Sequence, residues 1–149
     1  MKESLKNLLF FSYLSPEQMD KIMAYIELME LDAGEILFEE GENGDYVCFI
    51  VSGSLEVMKM TTWQNLTTVI ATLYEGSCIG EMALIDHEPR SATIRAYEKT
   101  KLAILTQKAF DVMVESEPEL GVNILKGVAQ TISDNLRATT DKLADEVAA

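Results

Sequence analysis

Apolar side chains recur with two different periods in this sequence, and the changes of period divide it into three stretches. In residues 4–30 Met19, Ile22, Met23 and Ile26 return at helical spacing. Ser15-Pro16-Glu17-Gln18 just ahead of them is a helix start. Ser15 can cap, Pro16 suits the first turn, and Gln18 lies three residues after the cap. The spacing predicts helix across 4–30. From 31 to 105 the period shortens. β-type runs occupy 36–38, 46–51, 54–60, 66–73, 91–96 and 101–105, and glycines stand at 34, 41, 44, 53, 76 and 80. Short strands with regular turn signals predict an antiparallel sandwich or barrel. Trp63-Gln64-Asn65 is the expected tip of a hairpin.

Helical spacing returns from 106 to 149. Thr106 can cap a short helix running to Val114, and Ser116 is the expected cap of a second, with Glu119 closing its box. Val122, Leu125, Ala129, Ile132, Leu136, Thr139 and Leu143 then step by three and four, as a and d positions of three heptads. Ile124 and Val128 widen the stripe near its start. This fits a helix lying on its own barrel equally with a parallel dimer seam in the second half.

Composition narrows the classes. The 149 residues carry 12 Lys plus Arg against 25 Asp plus Glu, a net charge of −13, which argues against a nucleic-acid binder. No apolar run approaches the roughly 18 residues of a membrane span, and no secretory cleavage pattern follows the N-terminus, so a cytoplasmic protein is expected. Cys48 and Cys78 lie in apolar stretches without a CxxC pair and read as free, buried thiols. His87 is the sole histidine, which excludes a His-rich metal site of the cupin kind, and no nucleophile–base pair is visible. No enzyme activity, cofactor or metal is expected. His87 reads as a solvent-facing loop residue, and the acidic stretch 27–46 as a solvated face.

The chemistry concentrates in 76–93. Gly80 permits a tight turn out of a strand, and Glu81 to Ile85 can make one helical turn with free N–H groups at its start. Glu81 offers a carboxylate to sugar hydroxyls, Arg90 a fork for two phosphate oxygens, and Ser91 a hydroxyl. The same residues also suit a surface turn closed by a Glu81–Arg90 salt bridge.

The order Ile79-Gly80-Glu81-Met82-Ala83-Leu84, four residues, then Pro89-Arg90-Ser91-Ala92 resembles the phosphate-binding cassette of the cyclic nucleotide-binding domain family. Residues 32–41, Gly44-Asp45 and 51–57 look like that family's opening strands, and the resemblance covers about residues 5–115. It is nearest to the sensor half of catabolite activator protein-type regulators, without their DNA-binding domain. The resemblance implies a mainly β fold: an antiparallel, jelly-roll-like β-roll with N-terminal helices in residues 1–115, and a long C-terminal helix in 116–149 that dimerises and acts as a lid. Glu81 would take the ribose 2′-hydroxyl and Arg90 the cyclic phosphate. Ser91, the N–H of Ala92, and the N–H groups of the turn Gly80-Glu81-Met82-Ala83 would complete the cradle. Ile79 and Met82 replace the family's usual Phe and Leu or Ile at what are expected to be apolar packing positions. Thr139 and Thr140 resemble the pair that contacts the adenine, with about one extra helical turn, roughly 5–6 Å, before them. The ligand favoured is cAMP, with cGMP the alternative. The function expected is a regulatory module whose C-terminal helix switches dimer or partner contacts with a protein effector of unknown identity, without DNA or membrane binding. The competing expectation is an interaction module of the same fold whose pocket is empty or takes another small effector.

Overall fold

The structure is a computed structural model that describes residues 1–60 and 66–148. The expected hairpin tip Trp63-Gln64-Asn65 lies outside the described residues. Among the described residues four α-helices and eight strands follow in the order α1 (Lys2–Leu5), α2 (Pro16–Ile22), β1 (Glu27–Leu31), β2 (Ile36–Phe38), β3 (Tyr46–Ser52), β4 (Ser54–Met60), β5 (Thr67–Tyr74), β6 (Cys78–Ile79), β7 (Thr93–Ala96), β8 (Thr100–Thr106), α3 (Gln107–Ser116) and α4 (Pro118–Ala148). Single 3₁₀ turns stand at Leu9–Phe11, Met23–Tyr25 and Glu81–Leu84. The strands form two antiparallel four-stranded sheets, ordered β1-β8-β3-β6 and β2-β7-β4-β5.

Two apolar cores share the first sheet. Inside the roll, Leu31, Phe38, Cys48, Ile50, Leu55, Ile94 and Leu102 pack together. Between that sheet and the helices, Phe10, Phe11, Val47, Phe49, Ala103, Leu105, Phe110, Ile124 and Val128 form the other. Successive residues of β3 therefore face different cores, which is why it reads as an unbroken apolar run. Edge-to-face contacts hold Phe10 to Phe49 at 4.7 Å and to Phe11 at 5.0 Å between ring centroids, geometries worth about 0.5–1.5 kcal/mol each beyond burial.

The helix starts form as their residues dictate. Ser15 Oγ accepts from Gln18 N–H, and Gln18 Oε1 from Ser15 N–H, both at 3.1 Å, a complete capping box. Thr106 Oγ1 accepts from Ala109 N–H at 3.0 Å and starts α3. Two expectations are corrected. Helix does not continue to residue 30: after a 3₁₀ turn the chain enters β1, which pairs with β8 from Glu27↔Ile104 to Leu31↔Thr100. The helical spacing ends at Ile26, and pairing with a central strand decides the rest. Ser116 does not cap the last helix but ends α3. Glu117 takes the cap position, its carbonyl accepting from Gly121 N–H at 3.1 Å, with Pro118 at the first helical residue. The short strand β6 was not distinguished by the spacing of apolar residues.

The first part of the tail lies on its own barrel, as one of the two readings has it. Leu120, Ile124 and Val128 are buried on the body. Gly127 permits this: a Cβ there would run into the carbonyl oxygen of Phe10. Of the expected heptad positions, Ile132 packs against the same core, whereas Val122, Leu125, Leu136 and Leu143 are exposed, the last two by 65 % and 59 %. Every described side chain from 135 to 147 is exposed. Among the described residues no helix is long and apolar enough to cross a membrane.

Candidate functional site

The site begins where β6 brings Gly80 against β3, with Cys48 opposite Ile79 and Phe49 opposite Cys78. Gly80 adopts φ 77°, ψ 31°, a left-handed conformation natural to glycine. A Cβ at this position would occupy the place of Arg90 Nη1. The chain then makes the 3₁₀ turn Glu81–Leu84, with Ala83 N–H donating to the Gly80 carbonyl at 2.9 Å. Ala83 and Leu84 are buried under it, whereas Met82 is 53 % exposed. Met82 is thus not the apolar packing residue expected. A single turn has only one inward face, and Ala83, Leu84 and the strand residue Ile79 occupy it.

Arg90 enters from the other end of the segment. Its N–H donates to the Glu42 carbonyl at 2.7 Å, and its own carbonyl accepts from Gly41 N–H at 2.8 Å. With Pro89 bridged to Asn43, its backbone is fixed to the turn between β2 and β3. The side chain then runs inward until only 8 % of the residue is exposed. Nη2–H donates to the Tyr46 carbonyl at 2.7 Å. The guanidinium carbon lies 4.2 Å from the Phe38 ring centroid and 4.7 Å from that of Tyr46. Nε is buried without a hydrogen-bond partner. No carboxylate among the described residues forms an ion pair with it. The surface-turn alternative, a Glu81–Arg90 salt bridge, is therefore not what forms. Ring faces contribute about 2 kcal/mol to a desolvated cation, but an unsatisfied buried N–H costs about 1–3 kcal/mol. The arrangement is an under-satisfied cation, and an anion would complete it.

A cavity of about 230 Å³ opens onto this guanidinium. Phe38, Val57, Leu73 and Ile94 give it apolar walls, while Gly80, Arg90, Ser91 and Ala92 form its polar end. That combination suits a flat apolar body carrying one compact anionic group. Burial pushes the Tyr46 phenol up to about 12, with Arg90 pulling the other way. Burial likewise pushes the Cys48 thiol to about 12 and the Cys78 thiol well above its usual value. Neither cysteine is in a disulfide.

The structure brings together Gly80, Arg90, Ser91 and Ala92 as expected. Glu81 stands at the same turn, but its Oε1 accepts from Asn135 Nδ2 on α4 at 3.4 Å. Thr139 and Thr140 are not brought to the cavity. Both are exposed on the projecting part of α4, and Thr139 Oγ1 donates to the Asn135 carbonyl at 2.9 Å. About four residues, or 6 Å of helix, separate them from the last contact with the body. Sequence reasoning missed two polar neighbours, Asn135 and Lys59. Lys59 Nζ donates to the Ser91 carbonyl at 2.7 Å and lies 4.0 Å from Glu40. Asn135 stands at the head of the stretch that carries Thr139 and Thr140 and Lys59 belongs to no motif, and only the approach of α4 and of β4 to the segment reveals their contacts. Among the described residues no three potential ligands cluster to hold a metal ion. His87 is exposed, as expected, with its Nε2 3.3 Å from Gln107 Nε2.

Comparison with known proteins agrees with the geometry. Residues 28–117 match the model of the cyclic nucleotide-binding domain. A cAMP-dependent protein kinase regulatory subunit of Mycosarcoma maydis is 34 % identical over 105 residues, which cover 67 % of this chain and 20 % of that protein. The crystal structure of a cyclic nucleotide-binding domain from Methylobacillus flagellatus superposes with a TM-score of 0.85 at 27 % identity, covering 97 % of this chain and 83 % of the other. The Thermus thermophilus catabolite activator protein gives 0.77 at 25 % identity, covering 91 % and 62 %. The chain spans only 8 % of the length of the fungal lysophospholipases among its relatives. The cassette, the double sheet and the match over most of the roll place this chain in the cyclic nucleotide-binding domain family.

Proposed function

We propose that the domain is a non-catalytic, cytoplasmic sensor of a cyclic nucleotide, cAMP in preference to cGMP. The observation that carries this is the buried guanidinium of Arg90, without a carboxylate and with Nε unbonded, at the polar end of an apolar cavity. The cyclic phosphate is the anion that satisfies it. Ser91 and the Ala92 N–H supply further donors, and Glu81 takes the ribose 2′-hydroxyl. The base lies along the apolar walls. Cyclic-GMP-binding members of the family often carry Thr at the place of Ser91, whose hydroxyl can serve either base; the preference for cAMP rests on the resemblance to catabolite activator protein-type regulators. A relative named as a cAMP-dependent kinase regulatory subunit supports the same preference.

The exposed heptad face of α4 supports the output side of this proposal. It presents Val122, Leu125, Leu136 and Leu143 to solvent, as a seam for a second copy or a protein effector. Thr139, on that seam, reaches a base only after α4 moves or from a partner copy.

Isothermal titration calorimetry of nucleotide-free protein with cAMP and cGMP tests the proposal. The expected result is micromolar or tighter binding of cAMP, weaker binding of cGMP, and a loss of roughly 2–5 kcal/mol in Arg90→Ala. No heat with either ligand in folded protein, or unchanged affinity in the variant, would overturn it in favour of a scaffold with a repurposed pocket.

A further inference from the structure

The Glu81 carboxylate is engaged by α4. Arg90 Nη1 lies against Gly80, the residue preceding Glu81, yet no ion pair joins Glu81 to Arg90 among the described residues. The Glu81 carboxylate turns instead to α4 and accepts from the Asn135 amide. Asn135 occupies a particular place on that helix. Upstream, Leu120, Ile124 and Val128 are buried on the body. From 135 onward every described side chain is exposed. The polar bonds of Arg137 and Thr139 stay within the helix, to Asp134 and to the Asn135 carbonyl. Among the described residues the Asn135–Glu81 bond is thus the last side-chain hydrogen bond tying α4 to the roll.

We propose that this bond is a latch between the cassette and α4, and that a cyclic nucleotide must open it to engage Glu81. The inference rests on the cyclic-nucleotide assignment above. The bond is long at 3.4 Å, whereas a hydroxyl bound to a carboxylate sits at about 2.5–2.7 Å and is the stronger interaction. Glu81 is not among the residues lining the cavity, so its carboxylate meets the sugar hydroxyl there only by turning away from the Asn135 amide. Ligand occupancy and docking of residue 135 oppose one another through one carboxylate, and linkage requires the opposition to be reciprocal. The ligand selects the state with α4 unlatched.

The test pairs Asn135→Ala with a ligand that cannot compete. Alanine raises helix propensity at an exposed position, so the variant folds. Calorimetry with cAMP is expected to show the variant binding about two- to tenfold tighter than the parent, the range of one hydrogen bond's net worth. With 2′-deoxy-cAMP, which lacks the competing hydroxyl, parent and variant are expected to bind alike. Equal or weaker cAMP binding by the variant, or the same gain with the deoxy ligand, would overturn the latch. Hydrogen exchange without nucleotide separates this from failure of the assignment itself. Amides near 131–139 are expected to exchange faster in Asn135→Ala than in the parent. If the parent binds no cyclic nucleotide, the functional assignment falls while this exchange difference still reports the bond. Identical exchange would show that no latch exists.

Discussion

The Arg90 guanidinium is held between two aromatic rings and two glycines. Its place after Pro89 and before small residues marked it as a phosphate fork, and Gly80 marked the turn that receives it. What the order of residues could not disclose is that Gly80 and Gly44 both leave room for the same guanidinium, or that Tyr46 and Phe38 provide its floor. Those contacts join four segments distant in the chain. Cys48, on the same strand as Tyr46, carries a consequence for pH. Burial holds its thiol protonated up to about 12 in the folded chain, against an ordinary value of 9.0. Between those values the folded state retains a proton the unfolded chain has lost. Stability is therefore full below about pH 9 and declines as pH rises towards about 12, by at most about 1.4 kcal/mol per unit for one such group. Tyr46 acts in the same sense from 10.0 upward. Urea midpoints measured from about pH 7 to about pH 10 are expected to fall less steeply above pH 9 in Cys48→Ala than in the parent. Parallel slopes would assign the decline to other groups.

Among the elements, capped helices and alternating strands were the legible ones, because their signals are local. The Ser15 box, the Thr106 cap and β4 with its full span all stand where the residues put them. β1 and β6 were not legible. One has a single buried residue and the other only two residues in all, so both exist through their pairing with β8 and β3. The long helix was legible as a helix but not in its docking, which turns on Gly127. Replacing it by alanine gains about 1 kcal/mol in helix propensity. The new methyl is driven into the Phe10 carbonyl, and overpacking of that kind costs typically 1–3 kcal/mol. The backbone acceptor cannot swing aside as a side chain would. Gly127→Ala is expected to lower the urea midpoint and to loosen residues 8–12 in hydrogen exchange. A midpoint equal to or above the parent's would mean that α4 shifts without loss.

For the whole molecule, the proposed assembly rests on the exposed apolar positions of α4. Val122, Leu125, Leu136 and Leu143 lie off the buried face, which leaves them open to a second chain. Leu136→Lys places a charge on that seam, far from both cores. It is expected to reduce a sedimenting dimer to monomer, with circular dichroism and the thermal midpoint of the roll unchanged. Sedimentation like the parent's would remove the seam from the assembly.

The strands common to both cores carry a consequence for mutational tolerance. Along β3, Val47 and Phe49 belong to the helix-facing cluster, while Cys48 and Ile50 belong to the interior of the roll. A saturation library across 47–50 is therefore two interleaved libraries. Substitutions at 47 and 49 are read out in how the helices seat, those at 48 and 50 in the packing behind the cavity walls Phe38 and Ile94. The tolerated residues should alternate with a period of two, giving neighbouring codons different phenotypes and separating the packing of the roll from the seating of the helices one residue at a time.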